Sequence, residues 1–433
     1  MAQTDPKKKH IVILGGSFGG LSVAHYVLRH VIPKLPTSKN YDVVLVSASP
    51  EAMLRQAAPR ALISDHFFPQ DKLFIPVAKQ FDSYPHGQFR FVHGTAKAVD
   101  PTGRSVTVSI HNSKAAASSD QEEVQETIPF HALVIATGAS TASPLLGLNT
   151  DAASLRASWA TFRAALPTAR SIVIAGGGPS GVEVAGELGE YLNGRHPGSW
   201  FSSPKPPKVS ITLVTAAAQI LPHLRPAIAQ QAETFLSHLG VTVVKNTKIT
   251  DVAYLSSSYG SASELSSKAT VTLSDGHTLT ADLYIPCVGI VANTSFIPSN
   301  SNLLAPDGRV LTNPSTLRVD SLPGVKGIYA IGDASTFARQ AAHSIQAAVP
   351  ILCANLKRDL LEQATGKKPE GEDRVFKEVT KEMQLVPIGT SKGVGAIMGF
   401  RLPSFFVWLM KGRDYWMWTT KNTWNGEQWA KES

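Results

Sequence analysis

Residues 171–187, SIVIAGGGPSGVEVAGE, restrict the fold more than any other part of the chain. Ile172, Val173, Ile174 and Ala175 form a short apolar, β-branched run of the kind that fills a strand buried on both faces. Gly176-x-Gly178-x-x-Gly181 follows at once. The first glycine permits a sharp turn, the second lets a pyrophosphate approach the backbone, and the third lets a helix pack on the strand. That helix would present free N–H groups and the positive end of its dipole to the phosphates. A lone glycine fingerprint can also be a purely structural turn. Here it sits in strand–turn–helix context, and a near match stands far upstream.

The upstream copy is Gly15-x-Ser17-x-x-Gly20, after an apolar strand at residues 10–14 and before a helix read at 21–31. Serine replaces the middle glycine. It is the smallest replacement, and it keeps a donor beside a phosphate. The next strand, 41–46, ends at Ser47 rather than at the acid that usually holds a ribose, and the nearest acid is Glu51. Strands follow at 89–92 and 105–110, then an apolar strand in 131–137 that ends in Ala136-Thr137-Gly138. After the second turn come a strand at 209–214, a helix at 227–239 and strands at 241–244, at 269–273 and up to Ile285. A further buried strand ends in Gly332-Asp333, and a long helix with a kink at Pro350 runs to about residue 364. Residues 111–126, 193–207 and 254–268 are polar excursions, and 366–373 are a linker.

The predicted fold class is α/β, with two Rossmann-like dinucleotide units, the second inserted in the first. The first unit takes residues 1–145 and 288–365, the second 146–287, and 366–433 form a C-terminal α+β, aromatic-rich segment. Two dinucleotides in one chain imply electron transfer between them.

Composition narrows the chemistry. The apolar fraction of 43% supports a sizeable core, and the net charge is +8. No zinc-finger spacing or continuous basic helix accompanies that charge, so nucleic acid is an unlikely partner. The two cysteines, Cys287 and Cys353, lie too far apart in sequence for a dithiol motif, and no metal site is expected. The polar N-terminus lacks a secretory core, Ala2 excludes N-myristoylation, and no stretch has the length of a membrane span.

These residues resemble the two-dinucleotide-binding-domain flavoproteins, the pyridine nucleotide-disulfide oxidoreductase superfamily. Within it they are most similar to the apoptosis-inducing factor-like group that includes ferroptosis suppressor protein, a flavin-dependent NAD(P)H:quinone oxidoreductase; type II NADH dehydrogenases are more distant. The resemblance covers nearly the whole chain. It is most specific at residues 176–187, 327–333 and 393–421, the last with Gly395, Gly399, Phe400, Leu409, Lys411, Arg413 and Asp414. It implies FAD at the first turn, held by Gly15, Gly16, Ser17, Gly19 and Gly20, with Arg60, Ala96, Thr137, Gly138 and Asp333 completing the site. It implies NAD(P)H at Gly176, Gly178 and Gly181, with Glu183 beside the nicotinamide and flavin as the catalytic residue. The rival reading of Glu183 is an acid placed in the first helical turn for the dipole; that of Asp333 is a helix N-cap.

No acid follows Val214, where Thr215-Ala216-Ala217 stand, so NADPH is expected to be accepted, with Arg225 and Lys208 as candidate phosphate partners. Where the family carries a lysine after Gly-Asp, this chain has Arg339 and Gln340. Five of the seven tryptophans fall after residue 400, among basic residues. That suits a headgroup-level membrane contact, the rival being an aromatic core. The expected function is hydride transfer from NAD(P)H to FAD and on to a quinone-type acceptor. The alternatives are a tailoring oxidoreductase acting on a small apolar metabolite and a redox-sensitive nucleotide-binding protein that engages DNA or a partner. The expected location is cytoplasmic, peripheral on a lipid droplet or mitochondrial surface.

Overall fold

Hydrophobic patterning is obeyed most strictly at the two central strands. The structure, a computed structural model, describes residues 8–111, 124–194, 206–255, 264–321 and 324–433. In chain order the first unit comprises β1 (Lys9–Leu14), α1 (Phe18–Tyr26), β2 (Tyr41–Ser47), the short helix α2 (Ala58–Ala61), β3 (Phe89–Asp100), β4 (Ser105–Ile110), β5 (Gln125–Pro129) and β6 (Ala132–Ile135). The second comprises β7 (Ser171–Ala175), α3 (Pro179–Asn193), β8 (Ser210–Val214), β9 (Val241–Val244) and β10 (Leu283–Pro286). The chain then returns through β11 (Ile328–Ala330) and α4 (Ala342–Thr365) and ends in β12 (Gln384–Ile388), β13 (Lys392–Ile397), β14 (Phe400–Arg401) and short helical turns.

The first sheet has the order β11-β6-β1-β2-β3-β4-β5 and the second β9-β8-β7-β10. Strands β1 and β7 lie inside their sheets, each with a parallel partner on both sides. Helices cover one face of each central strand, burying Ile11, Ile13, Ile172 and Ile174, and antiparallel strands cover the other, burying Val12 and Val173. Strand β11 joins the first sheet through β6, although some 190 residues separate them in sequence. An antiparallel ribbon, Ala139–Thr141 against Ile290–Ala292, links the two crossings between the units.

Two sequence expectations change. The first helix starts at Phe18 and turns π-helical over Val27–Val31. The long helix does not follow Asp333 directly. A 3₁₀ turn, Gly332–Ala334, intervenes, and α4 begins only at Ala342. Most of the three polar excursions lies outside the described residues. Pro350 sits within α4, where it leaves one carbonyl without its helical donor.

The C-terminal segment straps both units together. Its sheet β12–β14 packs on α3, and its last residues close on α1. His25 of α1 is fully buried, stacked on Phe81 at 4.2 Å, with Nδ1 2.8 Å from the Tyr84 hydroxyl and Nε2 2.8 Å from the Trp424 carbonyl. His30 reaches the Trp429 carbonyl, and Tyr26 reaches Ser433. Burial lowers the His25 imidazole to about 4, outweighing the raising effect of the Trp424 carbonyl, while Arg29 lowers it further. A histidine depressed in the fold contributes stability that is complete above its unfolded value and is lost as pH falls toward the folded one. Acidification from about 6.5 to 4 should therefore loosen residues 424–433, at a cost of up to roughly 3 kcal/mol. Tryptophan emission should shift to the red across that interval; an emission maximum that stays put refutes the coupling.

Candidate active site

The two glycine turns are built alike, atom for atom. Gly15 has φ +115° and Gly176 φ +110°, values that side-chain-bearing residues rarely adopt. The Gly15 N–H donates to Val46 O and the Gly176 N–H to Val214 O, both at 2.8 Å. A Cβ on Gly20 would overlap the Gly15 carbonyl, and one on Gly181 the Gly176 carbonyl. The glycine after each turn's start presses on a hydroxyl residue at the next strand end, Gly16 on Ser47 and Gly177 on Thr215. The match extends to Ala136-Thr137-Gly138, which recurs as Cys287-Val288-Gly289: Gly138 and Gly289 have φ +68° and +67°, with open space where a Cβ would stand. The second triplet begins 111 residues after Gly176, as the first begins 121 residues after Gly15.

The first cradle fits a dinucleotide. Gly15, Gly16, Ser17, Gly19, Gly20, Thr137, Gly138 and Asp333 lie at the carboxyl ends of β1, β6 and β11, where open α/β sheets bind ligands. Ser17 is the N-cap of α1, yet its hydroxyl makes no cap bond. Thr137 Oγ1 is buried with no partner, an acceptor and donor that a ligand would satisfy. Ala96 lies on β3, three residues past His93, the partner of Ser47, at a register shift in the β3–β4 pairing. It therefore extends beyond the same strand ends. At the second turn Gly178, the N-cap of α3, likewise has open space above it.

Arg60, expected at the FAD site, lies elsewhere. Arg60 does not face the first turn. Its Nε and Nη2 grip both oxygens of Glu187 at 3.0 and 2.8 Å, Nη2 also donates to Gly389 O and Nη1 to Arg413 O. Arg55, five residues earlier, is the one beside Asp333, with Nη1 3.2 Å from Oδ2. Asp333 is consequently an ion-pair partner and not a helix N-cap. Gln340 donates to the Asp333 carbonyl, and Arg339 is held by Glu378.

Glu183 falls in the second turn of α3, not the first, and it is buried, so the dipole reading gives way to a specific partner. That partner is Lys411, whose Nζ lies 2.5 Å from Glu183 Oε1 and 3.1 Å from Leu385 O. Burial pushes the Glu183 carboxyl above its ordinary range against the lowering pull of the Lys411 ammonium. Lys411 is buried too, with its ammonium 5.6 Å from the Tyr415 ring centre and 5.2 Å from that of Trp416. Sequence reading placed Lys411 in a surface-facing tail. Its 228-residue separation from Glu183 leaves no local signal of the pairing.

Neither candidate phosphate cation stands free at the second turn. Arg225 is tied to Glu382 through Nε–Oε2 at 2.8 Å. Lys208 precedes β8 and so stands at the opposite end of that strand from Thr215, roughly 20–25 Å away at strand rise. Glu51, the nearest acid to the first ribose position, is paired with Arg156.

The comparisons agree with this geometry. The family model for Pyridine nucleotide-disulphide oxidoreductase matches residues 9–350. Oxidoreductase phnG of Penicillium herquei is 56% identical over 100% of both chains, and oxidoreductase ptaL of Pestalotiopsis fici is 30% identical over 92% of this chain and 94% of that one. Ferroptosis suppressor protein 1 of Homo sapiens is 24% identical over 96% and 95%. Among solved structures, NDH2 from Plasmodium falciparum in complex with NADH superposes with a TM-score of 0.63 over 98% of this chain and 99% of that one, at 15% identity, a likeness of fold. The chain is an FAD- and NAD(P)H-dependent oxidoreductase and belongs to the Pyridine nucleotide-disulphide oxidoreductase family.

Proposed function

We propose that this chain passes two electrons from NAD(P)H to a small apolar acceptor of the quinone type. Bound FAD would supply the relay, accepting a hydride from NAD(P)H and returning its electrons to the acceptor. The observation that carries the reading is the buried Lys411–Glu183 pair. An ammonium has three N–H groups, and Lys411 spends two on Glu183 and Leu385 O. The third is left to hydrogen-bond an acceptor carbonyl, while the Glu183 carboxylate keeps the lysine charged. Cys287 and Cys353 are free thiols in separate elements, consistent with an acceptor step that uses no disulfide. Absence of an acid at Thr215 supports use of NADPH, alone or beside NADH.

A second reading, tailoring of a small apolar metabolite, is favoured by the higher identity to the two fungal oxidoreductases than to ferroptosis suppressor protein 1. One experiment separates these. The FAD-loaded protein is reduced anaerobically with NADPH and with NADH, then mixed with a quinone panel and with other apolar oxidants. Fast quinone reoxidation supports the first reading, and reoxidation confined to another oxidant supports the second. A flavin that neither nucleotide reduces sinks both and leaves nucleotide-linked binding of DNA or a partner.

The C-terminal aromatics divide. Tyr415, Trp424 and Trp429 are buried, whereas Phe400, Phe405, Phe406 and Trp418 are exposed, near Arg401, Arg413 and Lys421. We attribute peripheral membrane contact to the exposed set; no helix among the described residues is long and apolar enough to cross a membrane. Serine at 400, 405 and 406 should abolish co-sedimentation with anionic vesicles without unfolding the protein, and unchanged sedimentation refutes the contact.

A further inference from the structure

We propose that Arg60, Glu187 and Tyr415 form a positioning triad that commits Lys411 to Glu183 and holds its ammonium in place for the acceptor step. The proposal rests on the oxidoreductase reading above.

Glu183 and Glu187 are one turn apart on one face of α3, and both are buried. A lysine on a flexible four-carbon stem beside two such carboxylates would divide its time between them. Arg60 removes that choice. Its planar fork takes both Glu187 oxygens, a grip that a single ammonium cannot match. Glu183 is then the carboxylate left to Lys411. The buried set carries two positive and two negative charges, one pair per carboxylate. Glu190, a turn further along α3, is bonded to the Thr390 N–H and hydroxyl at 2.5 and 2.8 Å.

Tyr415 joins the two pairs. Its hydroxyl donates to Glu187 Oε1 at 3.0 Å, and its ring centre lies 4.8 Å from the Arg60 guanidinium. Tyr415 and Trp416 have φ +51° and +66°, a left-handed conformation that bulky residues hold only when the surroundings impose it. The Tyr415–Glu187 bond and a 3.1 Å bond from the Trp416 N–H to Asp414 Oδ1 impose it here. The resulting turn sets both rings against the Lys411 ammonium. Arg60 reaches the same turn by donating to Arg413 O. The triad touches neither acceptor nor nucleotide in this scheme; it acts through Lys411.

The test is Tyr415→Phe, which keeps the ring and removes only the hydroxyl, in FAD-loaded protein. Stopped-flow absorbance follows reduction by NADPH and, separately, reoxidation by a soluble naphthoquinone across pH 5–10. Reduction should stay within about twofold of wild type, while reoxidation slows about tenfold and the midpoint of its pH profile moves. Arg60→Lys, which keeps the charge and loses the fork, should move the same midpoint. Tyr329→Phe serves as the control for lost stability alone, because the Tyr329 hydroxyl makes a comparable buried bond to Asp359 Oδ2 at 2.6 Å elsewhere. Its profile should match wild type. A Tyr415→Phe profile and rate equal to wild type overturn the triad alone. A wild-type flavin that NADPH does not reduce overturns the triad together with the reading beneath it.

Discussion

Lys411→Met will cut the rate of acceptor reduction by two orders of magnitude or more, the range set by a positioned proton donor, while flavin reduction by NADPH stays within about threefold of wild type. The asymmetry follows from where Lys411 stands. It enters from the C-terminal strap and meets Glu183 in the second turn of α3 and Leu385 O, away from the Gly176–Gly181 turn that would hold the nucleotide. Stopped-flow traces of the two half-reactions decide this, and equal losses in both would show that Lys411 serves the site as a whole. The variant also has a pH signature. Burial already raises the Glu183 carboxyl, and removing the ammonium that lowers it raises it further. A carboxyl raised in the fold contributes stability at low pH that is lost as pH climbs through the folded value. Lys411→Met should therefore lose stability relative to wild type as pH rises, and adding Glu183→Gln should remove that dependence.

Arg60→Ala will destabilise the protein by about 3–5 kcal/mol, because it strands the Glu187 carboxylate in a buried site. Glu187 keeps only the Tyr415 hydroxyl, and Gly389 O and Arg413 O lose their donor. The thermal midpoint should fall by roughly 3–5 °C. Arg60→Met combined with Glu187→Leu replaces the ion pair by apolar groups of similar length and should recover most of that loss. A single variant within about 1 kcal/mol of wild type would mean that water reaches Glu187, contrary to its burial.

The sequence carried much of the site because its signals are local. Gly15, Gly20, Gly176 and Gly181 are legible since only glycine satisfies a positive φ or a carbonyl in van der Waals contact, and each requirement involves residues within six positions. Alternation of buried strands and helices is legible for the same reason. Arg60 and Arg55 were not separable by sequence, because both follow the same strand and the side chain's direction is set by which partner lies opposite. Asp333 was placed at the right strand end, but the helix read as starting there begins nine residues later.

What the sequence by itself determined is the pair of dinucleotide cradles and, with them, the donor side of the chemistry, since strand, turn and helix there are contiguous. What only the tertiary structure decided is the buried charge network that we assign to the acceptor side. Lys411 meets Glu183 across 228 residues, and Arg60 meets Glu187 across 127. Buried charges must find partners wherever the fold brings them, and that demand leaves no spacing in the chain to read.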